Sequence, residues 1–129
     1  MNDLTGLKAL VVEDEGGIAL MIEDMLEELG CEIAASVAHL TQAGDLASTA
    51  DVDFAVLDVN IAGKPVFPVA QVLRARKIPF VFSTGYGEGG LPPEFAGNPV
   101  VGKPFSIDGL RHAISIALAL GSSSTIDRA

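Results

Sequence analysis

Short apolar runs alternate along the chain with longer stretches in which apolar residues recur every three or four positions. The first run, residues 7–12 (LKALVV), is nearly continuous, as in a strand buried on both faces, and stops at Glu13-Asp14-Glu15. From Ile18 the period changes. Ile18, Met21, Ile22, Met25, Leu26 and Leu29 share one face and Glu23, Asp24, Glu27 and Glu28 the other, which predicts an amphipathic helix capped by Gly30. Residues 31–37 predict a second strand and 39–50 a weaker helix interrupted by Gly44. Residues 54–57 are a third strand ending in Asp58, followed by a loop over 60–65 and a helix over 66–76, with Pro68 in its first turn where proline is tolerated. Residues 79–82 are a fourth strand running into Ser83-Thr84-Gly85-Tyr86-Gly87. The following stretch holds Gly89, Gly90, Pro92, Pro93 and Gly97, so it supports one or two helical turns at most. Val100-Val101 is a short fifth strand. The last helix spans about 106–120, with Ser106 as N-cap and Asp108 in the first turn, before a polar tail at 121–129.

Strand–helix units repeated in this way predict an α/β fold, an open parallel sheet covered by helices on both faces. Right-handed crossovers place every strand C-terminus on one edge, where ligands of such sheets bind. That edge collects Glu13, Asp14, Asp58, Thr84 and Lys103. Alone, the acidic turn at 13–15 reads as solvated surface, Asp58 as a turn cap and Lys103 as a surface lysine. Their alignment at successive strand ends favours a site. Clustered carboxylates repel and call for a cation. Oxygen-only donors suit magnesium, with manganese as a substitute. Metal, ammonium and hydroxyl together match the peripheral oxygens of a phosphoryl group. Asp58, alone at its strand end, is the candidate nucleophile for it, and Glu13 and Asp14 form the metal pair.

The chain has 129 residues, 49% apolar and 19% charged, enough for one domain (1–129) with a real core. Its net charge of −9 and lack of a basic stripe argue against nucleic acid and anionic membrane as partners. The single cysteine, Cys31, forms no internal disulfide and reads as an inert core thiol. The N-terminus lacks a signal-peptide layout, and no run approaches the ~20 apolar residues of a membrane span. A soluble cytoplasmic domain is the expectation. His39 and His112 read as structural or solvent-facing, and Gly85 and Gly87 form no nucleotide-binding motif.

VVEDE at 11–15, FAVLDVN at 54–60, FSTGYG at 82–87 and VGKPF at 101–105 stand at strand ends in order. Across about residues 5–120 the chain resembles the response-regulator receiver domains of bacterial two-component signalling. The resemblance implies a flavodoxin-like (βα)5 doubly wound sheet of order 2-1-3-4-5. It implies Asp58 as phosphoacceptor, and magnesium held by Asp14, by Glu13 largely through water, by Asp58 and by the backbone carbonyl of Asn60. Thr84 and Lys103 are the implied phosphoryl-binding hydroxyl and lysine, and the Lys103–Pro104 bond is implied to be cis. PFVFSTGYG at 79–87, with DVN at 58–60 and PVA at 68–70, also resembles the FAT GUY subgroup, with Ser83 in place of its usual alanine. That subgroup has a short or irregular fourth helix and is associated with HWE-type histidine kinases. Two departures stand out. Val100 replaces the usual aromatic that swings on phosphorylation, leaving Tyr86 as a substitute route. Ala62 replaces a common loop proline, which predicts a less rigid loop, while Gly63 is kept.

The expected function is a phosphoryl-accepting switch. A histidine kinase or histidine phosphotransfer protein supplies the group to Asp58, and output is by contact with a downstream protein or as a phosphoryl sink or shuttle. No independent substrate turnover is expected. Alternatives are a phosphorylation-independent interaction module and the receiver part of a longer hybrid kinase. A small phosphohydrolase fits less well, because no second carboxylate closely follows Asp58 and there is no room for a cap domain.

Overall fold

The computed structural model of the chain describes residues 4–85, 91–103 and 106–127, with side chains described as far as Leu120. Strands β1 (Lys8–Val12), β2 (Glu32–Val37), β3 (Phe54–Asp58), β6 (Phe80–Thr84) and β7 (Val100–Gly102) form one parallel sheet of order β2-β1-β3-β6-β7. Two-residue strands β4 (Asn60–Ile61) and β5 (Lys64–Pro65) make a separate hairpin. With the hairpin set aside, the order is the expected 2-1-3-4-5.

The sheet has a core on each face. Ile22 and Leu26 of α1 (Gly16–Glu28) and Leu110, Ala113, Ile114 and Ala117 of α4 (Ile107–Asp127) pack on Ala9, Val11, Phe54, Val56 and Val81. Ala43 and Ala47 of α2 (Leu40–Thr49) and Val69, Ala70 and Leu73 of α3 (Phe67–Ala75) pack on Leu10, Val12, Ala55, Leu57, Phe80 and Phe82. Neighbouring positions along each central strand therefore face opposite layers, and the continuous apolar runs follow from that.

Local chemistry sets the boundaries. After Leu29 the chain turns at Gly30 (φ 94°). The Gly30 N–H donates to Glu27 O and the Cys31 N–H to Leu26 O, a Schellman closure. At α4 the Ser106 Oγ accepts from the Gly109 N–H at 3.0 Å, as its N-cap role requires. The helix then continues to Asp127, through much of the stretch expected as a polar tail. Between β6 and β7 the described residues hold a 3-10 turn at Pro93–Phe95, in keeping with the short or irregular helix expected there. Tyr86, the glycines at 87, 89 and 90, and Pro104 of the Lys103–Pro104 bond lie outside the described residues.

Gly30 combines a left-handed backbone with a close approach. An added Cβ would lie 2.7 Å from Thr5 Oγ1 and 3.0 Å from Thr5 Cα. Gly30→Ala should therefore lower stability by about 1–3 kcal/mol, read as a lower urea midpoint with unchanged slope.

Candidate functional site

Sheet register brings the site together. Val12 pairs with Leu57, which sets Glu13 beside Asp58. Asp58 pairs with Ser83 and Thr84 with Gly102, and the Lys103 N–H donates to Thr84 O at 2.9 Å. Asp14, Glu15, Asp58, Val59, Asn60, Thr84, Gly85 and Lys103 line an open cleft of about 450 Å³ at this edge. Glu13 lies beneath it, 2% exposed. Every residue that the sequence assigned to the site is thus at this edge.

Lys103 Nζ lies 3.1 Å from Asp58 Oδ2 and 3.1 Å from Glu13 Oε1. The first contact is also a hydrogen bond. The second is an ion pair to the buried Glu13 Oε1. Its other oxygen accepts from the Glu15 N–H at 3.2 Å. Burial, and then the adjacent Asp58 carboxylate, push the Glu13 pKa up from 4.5 to about 7 against the pull of the Glu15 N–H and Lys103. For Lys103, burial works to lower the pKa, but its contacts with Glu13 and Asp58 outweigh this and the net shift is upward. The ammonium therefore stays charged.

Three acids and one ammonium leave an excess of negative charge. Glu13, Asp14 and Asp58 each present an oxygen within 4.8 Å of the others. All are hard oxygen donors, and a single ammonium is shared between two of them. This set fits a small divalent cation such as magnesium.

The hairpin supplies contacts that side-chain identities do not announce. Asp14 Oδ2 accepts from the Ala62 N–H at 2.8 Å, and Asn60 Oδ1 from the Gly63 N–H at 2.8 Å. Asp58 Oδ1 accepts from the Asn60 N–H at 3.2 Å. Ala62 (φ 53°) and Gly63 (φ 86°) are both left-handed, the geometry of a tight two-residue hairpin turn. A proline at 62 has no N–H to give Asp14. The loop expected to be less rigid for lack of that proline is tied to the site by the amide that replaces it. Only the chain's path, not a sequence motif, reveals this contact.

Ser83, standing where the resembled subgroup usually has alanine, is fully buried and its Oγ has no hydrogen-bond partner among the described residues. An unpaired buried hydroxyl is costly, so Ser83→Ala should raise stability by about 1 kcal/mol in a denaturant melt. Glu13 gives a second expectation. Its proton is held more tightly folded than unfolded, so with chelator present stability should fall as pH rises from about 4.5 to about 7. Magnesium should reduce that fall and Glu13→Gln should flatten it, as read by urea melts across this window.

No protein-family model matches the chain. Solved structures do. The chain is 41% identical to SdrG from Sphingomonas melonis Fr1, covering 92% of this chain and 99% of that one, with a TM-score of 0.79. It is 28% identical to the PhyR response regulator REC domain of Erythrobacter litoralis (89% and 92% covered, TM-score 0.76). It is 25% identical to the receiver domain of the sensor histidine kinase PA1611 from Pseudomonas aeruginosa PAO1, solved with magnesium coordinated in its active-site cleft (89% and 99% covered, TM-score 0.76). Among curated proteins it is 28% identical over 116 residues to the transcriptional regulatory protein PdtaR of Mycobacterium tuberculosis, 87% of this chain but only 57% of that protein's length. Sheet order, acidic edge and these likenesses agree: the chain belongs to the response-regulator receiver domains of two-component signalling.

Proposed function

We propose that Asp58 is the phosphoacceptor of a magnesium-dependent switch. The observation that carries this reading is the position of its carboxylate. It is nearly buried, bound to the Lys103 ammonium, beside two further acids, and it opens into the cleft. In the proposed reaction an Asp58 carboxylate oxygen attacks phosphorus of a phosphohistidine. The P–N bond breaks, its electron pair stays on the imidazole, and an acyl phosphate forms on Asp58. Water later cleaves it, returning the carboxylate and inorganic phosphate.

Lys103 and the Thr84 hydroxyl hold peripheral phosphoryl oxygens in this reading, with Lys103 offsetting the charge that builds on them. Glu13, Asp14, Asp58 and the Asn60 carbonyl hold magnesium, for which manganese can substitute. The metal supplies charge neutralisation at the phosphoryl oxygens. The Ala62 amide fixes the Asp14 carboxylate from the side. The donor is a cytoplasmic histidine kinase, of the HWE type on the strength of the PFVFSTGYG stretch, or a histidine phosphotransfer protein. Output is contact with a downstream protein, or service as a phosphoryl sink or shuttle. A second reading, constitutive binding without phosphorylation, is favoured by Val100, which takes the place of a swinging aromatic.

With magnesium and a small-molecule phosphodonor, the wild type should gain an acid-stable, base-labile phosphoryl group on the Asp58 peptide, and Asp58→Asn should gain none while keeping its circular dichroism. Labelling of Asp58→Asn, or none of the wild type, removes this reading in favour of the second. Asp14→Ala should weaken magnesium affinity at least about tenfold, by titration calorimetry.

A further inference from the structure

Val100 leaves open how a change at Thr84 reaches the surface, and the packing around β6 offers a route. Thr84 stands two residues beyond Phe82 on the same strand, so both are placed toward the same sheet face. The Phe82 ring lies edge-to-face on Phe67, Phe80 and Phe95, with centroids 5.7, 5.4 and 5.5 Å away. Phe67 and Phe80 belong to α3 and β6. Phe95 sits on the isolated 3-10 turn, fully buried. A close-packed ring cluster repacks rather than deforms, so the member on the shortest element yields first.

That turn is held to α3 by side chains. The Arg74 guanidinium lies 4.4 Å from the Phe95 ring centroid and donates to Glu94 O at 2.8 Å and Asn98 Oδ1 at 2.7 Å. Gln71 Nε2 donates to Glu94 Oε2 at 2.9 Å. Arg74, Gln71 and Glu94 are exposed, so repacking at Phe95 is read out on the surface.

We propose that Phe95, strapped to α3 by Arg74 and seated against Phe82, carries the switch from Thr84 to the surface made by Gln71, Arg74, Glu94 and Asn98. This rests on the receiver reading above. When the phosphoryl oxygens draw the Thr84 end of β6 inward, the Phe82 ring follows. Phe95 then changes its seat, and the Arg74 strap shifts or releases.

The test is backbone and aromatic-ring NMR of the full chain with magnesium and beryllofluoride, on wild type, Arg74→Gln and Arg74→Lys. In the wild type, amide shifts at Asp58 and Thr84 should be accompanied by shifts of the Phe95 ring and of the Glu94 and Asn98 amides. In Arg74→Gln, amide exchange at Phe95 and Asn98 should quicken about tenfold. Its Asp58 and Thr84 responses should persist while those at Glu94 and Asn98 are lost, and Arg74→Lys should fall between. Wild-type shifts at Asp58 and Thr84 with a silent Phe95 ring overturn the proposal and leave the receiver reading standing. So does an unchanged Glu94 and Asn98 response in Arg74→Gln. Silence at Asp58 itself overturns both.

Discussion

One ammonium between two carboxylates organises this edge of the sheet. Lys103 Nζ sits 3.1 Å from both Glu13 and Asp58, and Asp14 stands close by. In the partly dry setting of the strand ends, like charges at such distances cost more than in water, and one ammonium offsets only part of the repulsion. The residual negative charge is a standing affinity for cations. At Glu13, burial first and the Asp58 carboxylate second hold the proton more tightly than in water. The same charge repels anions, so in the proposed reaction a cation would have to precede the phosphoryl group.

The scaffold's contribution is register. The pairs Val12–Leu57, Asp58–Ser83 and Thr84–Gly102 fix where each strand stops, and a slip of one residue in any pair would turn a functional side chain to the opposite face. Because β1, β3 and β6 are buried on both faces, such a slip would also drive apolar residues out of one core. The energy that specifies the site is thus mostly that of the hydrophobic layers beneath it. The hairpin adds a finer control. Ala62 accepts a left-handed backbone, at a cost of about 1–2 kcal/mol, and its N–H meets the Asp14 carboxylate in a charge-assisted hydrogen bond of similar size.

What could be read from the sequence follows from which interactions are local. Strand ends were legible because apolar runs break off at Glu13, Asp58 and Ser83. The Gly30 and Ser106 caps were legible because their chemistry lies within a few residues. The sheet order came from the resemblance rather than from periodicity, since parallel pairing joins residues far apart in sequence. Three features were not legible. The Ala62–Asp14 contact uses a backbone amide, which every residue but proline carries. The unpaired Ser83 hydroxyl depends on burial, not on identity. The Arg74–Phe95 contact joins residues whose nearness is set by how β6 and β7 are connected. The helix extending to Asp127 was missed for another reason. Its serines and glycine are weak helix formers, and propensity alone favours a tail.

The described part of the connection between β6 and β7 poses a physical problem that Phe95 helps to answer. An amphipathic helix would cover this part of the sheet with an apolar stripe, whereas among the described residues here Phe95 is the fully buried anchor, with Leu91 partly buried beside the same core. Burying a phenylalanine is worth about 1.5–3 kcal/mol, and each well-set ring pair about 0.5–1.5 kcal/mol more. Arg74 adds a cation–π contact and two hydrogen bonds from an exposed position. The entropy of ordering the turn offsets much of this, at about 1–2 kcal/mol per residue, and leaves a net of a few kcal/mol. Coupling energies between sites in proteins are typically about 1–3 kcal/mol. A much stronger anchor would not respond to such an energy, and a bare loop would have nothing to report. A single buried ring under a guanidinium lies between these limits. It holds the segment in one place, yet an event of ordinary size at the head of the neighbouring strand can unseat it.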